Sequence, residues 1–376
     1  MNNKIEKVLV VGGGIAGLSL AIGLCRKNIA VDIVELKKEW TVYGVGIIQQ
    51  SNVVRAMHQL GILDSYLDNA FAFEKITIYT GNGIPIGNVP SFRLAGPDYP
   101  ANVGVSRLKL HHVLSDTAIE LGANVHLGIT IESFTETDNK VSAIFTDGTT
   151  NEYDVVVGAD GIYSKLRNML FPDAEKPRLT GQAVWRHNFK RPEGMEELGS
   201  YIDAEGNGAG LCPLSKDLMY MFVTSKEPGN PWYPEYQLPE LMRNRLKGFS
   251  GLIGELREQI SDPREVVYRP MEVHFVEGDW YKGNVILIGD AAHATTPHAG
   301  QGAGIAIEDA IVLADELSGE GSIKEKFDRF MQRRYERCKM VCEGSNQIGE
   351  WEMMGESPDK RVGMLKNILM ETAKPI

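Results

Sequence analysis

Three stretches rich in glycine and aspartate carry the chemistry this sequence offers. Near the N-terminus, "KVLVVGGGIAGLSLAIGL" places glycines at 12, 14 and 17, the spacing G-x-G-x-x-G. In such a stretch Gly12 permits a tight turn, Gly14 lets a phosphate approach the backbone, and Gly17 lets the next helix pack on its sheet. Ile15 and Ala16 lead into that helix, whose free N–H groups and partial positive charge suit a pyrophosphate. Glu35 closes the strand "VDIVE" at the spacing of a carboxylate that bonds ribose hydroxyls, with Leu36 beside it. An acid here favours a free 2′-hydroxyl, as in FAD or NAD, over NADP. The second stretch, "VVVGADGIYSKLRNML", brings Asp160 to a strand end, Gly161 to a turn and Arg167 to a helix. It also reads as a turn with an aspartate helix cap. The third, "GDAAHATTPHAGQGAGIAIEDA", sends Asp290 from the strand "NVILIG" and opens a helix with Gly300, Gly302 and Gly304. Ligands of open α/β sheets lie beyond the strand ends, where Asp290 must point.

These residues need strands to deliver them. Val8–Val11 and Val155–Val157 are short apolar runs, as buried parallel strands are. A helix follows the "GVGII" loop with Val53, Val54, Met57 and Leu60 at helical spacing, and Gly61 ends it. Another helix is expected in "SRLKLHHVLSDTAIELG", with Leu108, Leu110, Val113, Leu114 and Ala118 on its apolar side. "KITIYTGNGIPIGNVP" reads as a hairpin, and so does the region around Asp147-Gly148. From about 178 to 275 the character changes to alternating, aromatic strands ("AVWRHNF", "GAGLCPL", "LMYMFVT") with one helix, "LPELMRNRLKGF". Two helices are expected to end the chain. The expected class is α/β: a Rossmann-like nucleotide-binding domain (1–70, 101–177 and 271–376, with C-terminal helices) interrupted by a mostly antiparallel sheet domain (71–100 and 178–270).

Composition narrows the function. A net charge of −11 argues against nucleic-acid binding, which needs a basic face. No apolar run approaches the ~18–20 residues of a membrane span. Lys4, Glu6 and Lys7 lead straight into the first strand with no signal-peptide pattern, so a cytoplasmic protein is expected. Cys25, Cys212, Cys338 and Cys342 form no C-x-x-C pair, which argues against dithiol redox chemistry. Cys338 and Cys342 share a helix face but read as packing, and no metal site is expected.

Taken in order, the three motifs resemble the class A flavoprotein monooxygenases, the aromatic hydroxylases built on the p-hydroxybenzoate hydroxylase fold. "GDAAHATTPHAGQGAGIAIEDA" is most similar to the salicylate-hydroxylase-like members. The resemblance implies that the first motif holds the ADP part of FAD and that Asp160 belongs to a motif serving FAD and pyridine nucleotide. It implies that Asp290 bonds the ribityl chain. Gly300, Gly302, Ala303, Gly304 and Ile305 would set backbone N–H groups beside the flavin, and Pro297 would lie against its face. Many members carry Asn where this chain has Ile305. Arg107, Leu110 and Leu114 match the family's Arg-x-x-Leu-x-x-x-Leu in part, and Arg107 would reach the ribityl or phosphate region. Gly46 and Ile47 resemble the loop whose backbone touches the flavin, and Ile131 is a further cofactor-binding candidate. His293 and His298 are taken as structural.

The implied reaction uses NADH or NADPH to reduce FAD, adds O₂ to give a flavin C4a-hydroperoxide, and hydroxylates a small aromatic or N-heteroaromatic compound. Candidate pocket residues are Trp185, His187, Tyr201, Cys212, Tyr220 and His274, with Tyr220, His187 and Pro297 proposed for catalysis. Alternating strands turn only about half of such residues to one face. No arginine pair announces a carboxylate substrate, and Arg186 is open to either face. Two alternatives stand beside this. One is another flavin reaction on the fold, a reductase or halogenase, although the halogenase stretch W-x-W-x-I-P is absent. The other is a non-catalytic flavin-binding regulator. A monomer or homodimer fits either.

Overall fold

The strand behind the first glycine turn, Lys7–Val11, lies inside a six-stranded sheet. The computed structural model describes residues 4–40, 44–137 and 140–376. The strand order is Tyr281–Lys282, Val285–Leu287, Val155–Gly158, Lys7–Val11, Ala30–Glu35, Asn124–Leu127. Every pairing is parallel except the hairpin of the first two. A parallel sheet is covered on both faces, so its strands are continuous apolar runs. Val8–Val11, Val155–Val157 and Val285–Leu287 are indeed sealed from solvent.

The register has a direct consequence for the motifs. Val11 lies opposite Gly158, and Gly158 opposite Leu287. The three strands are neighbours and end level, so the turns carrying Gly12, Asp160 and Asp290 emerge side by side. Gly12 has φ +111°, and a Cβ there would sit 2.3 Å from the Ala159 carbonyl oxygen. Only glycine allows this turn to pass so close to the one leading to Asp160.

A second sheet has seven strands, in the order Val267–Val273, Arg178–Lys190, Leu218–Lys226, Gly208–Pro213, Leu198–Ile202, Ile76–Thr80, Pro85–Val89. Only Leu198–Ile202 and Ile76–Thr80 run parallel. One face, with Trp185, Phe189, Leu211, Met219, Met221 and Val223, packs under the helices Leu238–Arg245 and Gly251–Arg257. The second of these helices was not expected. The other face carries Cys212 and Tyr220. Phe71–Phe73, assigned above to this domain, pairs instead with Asn102–Ser106 in a small sheet completed by Gly46–Gln49.

Two further expectations are corrected. Leu108 is exposed, while Leu110, Val113, Leu114 and Ala118 are buried. Residues two apart on a helix are about 200° apart, so Leu108 cannot share the face of Leu110. Three long helices, not two, follow the last glycine turn: Gly302–Ser318, Ile323–Met354 and Pro358–Ala373. No helix among the described residues is long and apolar enough to cross a membrane.

A buried charge network fixes the third motif to these helices. The fully buried Arg334 guanidinium donates to Asp309 Oδ1 and Glu308 Oε2, both at 2.8 Å, and to the Ile305 carbonyl at 3.0 Å. Asp309 Oδ2 accepts from the Gly289 N–H at 3.0 Å and pairs with His293 Nε2 at 2.6 Å. Burial alone would raise the Asp309 carboxyl, but His293 and Arg334 outweigh it and hold it at about 2. Despite its own burial, His293 is pushed above the usual imidazole range by Cys338 and Asp309. Ligand atoms of His293, Asp309 and Cys338 lie within 4.8 Å of one another. Arg334 already donates to both Asp309 and, at 3.4 Å, Cys338 Sγ, so a cationic side chain sits against that cluster and Cys338 is part of the charge network. Replacing Arg334 with Met should leave two buried carboxylates short of partners and lower the unfolding free energy by about 3–5 kcal/mol. Urea denaturation of R334M beside the native protein measures this.

Candidate active site

At the first turn, the Glu35 carboxylate accepts from the Gly13 N–H (2.9 Å, Oε2) and the Lys37 N–H (3.0 Å, Oε1). It is thereby held at the strand end with lone pairs to spare for hydroxyl donors. Gly14 caps the helix Ile15–Arg26 with extended backbone, and a Cβ on it would meet nothing within 4 Å. That side of the turn is open to a ligand. Leu36 is exposed beside Glu35. His111 and Trp40, missed in the sequence, brace the turn: His111 Nε2 lies 3.0 Å from the Gly13 carbonyl and its ring 4.8 Å from Trp40.

At the second turn, Asp160 Oδ2 accepts from the Lys165 and Leu166 N–H groups, the helix-cap role the sequence had allowed. Oδ1 is buried without a partner. Arg167 bonds the Ala291 and Ile162 carbonyls and so ties this turn to the third motif. Asp290 is accessible to solvent although protein surrounds it closely. Burial raises its carboxyl, and His293 and Arg107 oppose that shift.

At the third turn, Gly300 adopts the left-handed region at φ +65°, and Gly302, Ala303 and Gly304 begin the helix. Their N–H groups are the free donors of that terminus. Ile305 is corrected here. Its N–H is spent on the Gln301 carbonyl at 2.9 Å and its side chain is fully buried, so it offers nothing to a ligand. Gln301, Asn52 and Gln50 form a buried amide cluster that holds the turn. Pro297 is exposed at the start of the turn. The His298 side chain, next to it, is buried with neither ring nitrogen hydrogen-bonded and with Glu352 Oε2 3.9 Å from Nε2, and burial and Arg361 hold it down at about 4.

The seven-stranded sheet adds the cleft's other wall. Tyr220 packs on Gly46, where a Cβ would fall 2.1 Å from Tyr220 Cδ1. Buried Cys212 is its cross-strand partner. Arg107 and Arg186 both lie close to Tyr220. Burial raises the Tyr220 hydroxyl far above its ordinary value, against the pull of the two guanidinium groups. Arg107 Nε is buried without a partner. Ile47 is half-buried on the strand that starts at Gly46.

Four candidates lie elsewhere. Trp185, His187 and Tyr201 sit on the opposite face of the sheet from Tyr220. Trp185 and Tyr201 align in register with Val223 and Ala209 of the helix-covered core, and His187 with Met221. Period-2 alternation sends Arg186 and Asn188 to the cleft in their place. His187 packs on Phe189 with its nearest acid, Glu265, at 3.4 Å, and Tyr201 stacks on Tyr79 at 4.8 Å. His274 lies beside Arg167, not Tyr220, and burial with that charge lowers it to about 4. Ile131 has its side chain sealed in the core of the first sheet, so only its backbone could reach a ligand.

The arrangement suits one long ligand. An anion-binding helix start and a ribose-binding acid stand at one end, and an aspartate with a second helix start at the other. Residues 6–343 match the family described as FAD binding domain. The chain belongs to this family, the class A flavoprotein monooxygenases. It is 32% identical over 356 residues to the aurachin C monooxygenase/isomerase of Stigmatella aurantiaca, covering 92% of this chain and 90% of that protein. It is 30% identical over 397 residues to the 3-amino-4-hydroxybenzoate 2-monooxygenase PtmB3 of Streptomyces platensis, covering 100% and 94%. Its fold matches that of Klebsiella pneumoniae HpxO complexed with FAD and uric acid, with a TM-score of 0.85 at 22% identity over 97% of each chain.

The contact between Gly46 and Tyr220 can be tested within the fold. Gly46→Ala should cost about 1–3 kcal/mol by forcing the Tyr220 ring aside. Adding Tyr220→Ala should make the Gly46→Ala step clearly cheaper, since the clashing ring is gone and only the Leu214 Cδ2 methyl, 2.7 Å from the new Cβ, must still move. Unfolding curves of both single variants and the double variant check this.

Proposed function

We propose that this protein is an NAD(P)H-dependent monooxygenase that hydroxylates a small aromatic or N-heteroaromatic compound. The observation that carries this is the level ending of three neighbouring parallel strands, which converges Gly12, Asp160 and Asp290 on one cleft walled by the Tyr220 face of the second sheet. FAD fits that cleft. The open side of Gly14 and the free helix N–H groups take its pyrophosphate, and Glu35 takes ribose hydroxyls. Asp290, Gly302, Ala303 and Gly304 are left for the ribityl and ring end. When bound, FAD supplies the redox chemistry: it takes electrons from the nicotinamide and activates O₂ for transfer to the substrate.

The chain's own residues do the rest. The N-terminus of Gly302–Ser318 stabilises negative charge at the ring end through its unpaired donors and helix dipole. Arg107 adds a fixed positive charge nearby. Tyr220, Cys212 and Phe222 line the sheet face and keep water from the reacting centre, where it would divert oxygen to peroxide. Pro297 supplies a rigid, donor-free surface at the turn before the second helix start.

The test is oxidation of NADH and NADPH by the purified protein across phenolic and N-heteroaromatic acids, with peroxide quantified. At least one compound should accelerate oxidation severalfold while little peroxide forms. A flavin that stays oxidised with both reductants and every compound would overturn the monooxygenase reading.

A further inference from the structure

Gly12, Gly13 and Gly14 follow one another in the first turn, and a peptide between glycines can rotate either way at little cost. Both polar groups of the middle glycine are tied down. The Gly13 N–H donates to Glu35 Oε2 at 2.9 Å, and the Gly13 carbonyl lies 3.0 Å from His111 Nε2. A carbonyl only accepts, so this ring nitrogen carries a proton. The other ring nitrogen, Nδ1, is buried without a partner, so the bond to Gly13 is the single hydrogen bond of this ring among the described residues. Burial lowers the imidazole, which keeps it a neutral donor near pH 7.

His111 comes from outside the glycine motif. It lies one turn after Arg107 in the helix Arg107–Glu120, 98 residues along the chain from Gly13. Trp40 packs against both partners of this bond. Its ring centroid is 4.8 Å from that of His111, and a Cβ on Gly13 would fall 2.5 Å from Trp40 Cζ3. The consequence lies in peptide geometry. In a trans peptide the C=O and the following N–H point in opposite directions, and the chain has no cis bond among the described residues. Holding the Gly13 carbonyl on His111 therefore turns the Gly14 N–H away from that helix. Among the described residues no protein acceptor takes this N–H, and the space a Gly14 Cβ would enter is empty. A diphosphate at the start of the helix Ile15–Arg26 is the acceptor this donor lacks. A hydrogen bond to the carbonyl of a peptide also polarises its N–H and strengthens it as a donor.

We propose that His111 is a positioning residue for the cofactor diphosphate. By anchoring the Gly13 carbonyl it aims the Gly14 N–H at a phosphate oxygen, and Trp40 holds the imidazole and the turn together. This goes beyond the monooxygenase reading and does not depend on it, because any reaction that uses FAD on this chain needs the same anchor.

The experiment compares the native protein with His111→Leu and His111→Gln. Leucine keeps apolar bulk against Trp40 and removes the donor, while glutamine keeps a donor on a side chain of similar reach. Phosphorus NMR of the FAD-loaded proteins reads the diphosphate, and visible absorbance reads the flavin ring. His111→Leu should shift the diphosphate resonances and leave the flavin spectrum native. Calorimetric titration of ADP into the flavin-free proteins should show binding about 10-fold weaker in His111→Leu, the worth of a hydrogen bond to a charged group. His111→Gln should recover most of both effects. Native resonances and native ADP affinity in His111→Leu would overturn the proposal. So would a glutamine variant no better than the leucine one, since His111 would then act by packing alone. A flavin spectrum that moves together with the diphosphate signals would also overturn it, as the mark of a general disturbance. Where His111→Leu holds no FAD, the ADP titration and its recovery in His111→Gln decide the matter. Oxidation of NADH and NADPH by the native protein scores the monooxygenase reading separately.

Discussion

The site depends on one constraint: three parallel strands, far apart in the chain, must end level. Val11, Gly158 and Leu287 share a rung, and the turns beyond them carry Gly12, Asp160 and Asp290. A slip of one residue in any pairing would turn that strand's side chains to the other face and move its turn by about 3.3 Å. Buried valine, isoleucine and leucine on both faces of the sheet make such a slip costly. The register that builds the core therefore also gathers the site.

The electrostatics follow from that gathering. Two helix N-termini, Arg107 and Arg186 give the cleft positive character, although the chain as a whole carries −11. Some acids of this region are committed elsewhere, while Asp290 and Glu35 stay at the turns with acceptor capacity to spare. Asp160 caps a helix, and Glu308 and Asp309 neutralise Arg334 behind the glycine helix. Through Gly289 and His293, Asp309 also sets the geometry of the Asp290 turn. A change in the long helix Ile323–Met354 would thus be felt at the cleft without touching any ligand.

Much of this was legible in the sequence. Apolar runs ending in glycine gave the parallel strands and their turns, because steric need for glycine and continuous burial both leave a local trace. The face of the second sheet was not legible. Alternation assigns Trp185 and Arg186 to opposite faces but does not say which face meets the cleft; that depends on helices packed from elsewhere in the chain. Trp185 and His187 therefore went to the wrong side, and the approach of Arg186 to Arg107 stayed hidden. The network around Asp309 did leave a signal. Glu308 and Asp309 are adjacent acids inside an otherwise apolar helix, a pattern that demands buried cations. Ile305 misled because its position suggested a free N–H, and the helix begins one turn too early for that.

The central claim is that a single FAD spans both glycine-rich turns, with Asp290 serving only its ribityl end. Calorimetric titration of FAD and of ADP into flavin-free native protein and Asp290→Ala tests this most directly. The account predicts FAD binding about 10-fold or more weaker in the variant, the worth of a hydrogen bond to a charged group, with ADP affinity unchanged. Equal FAD affinity in the two proteins, or an ADP affinity that falls in step with that of FAD, would contradict it.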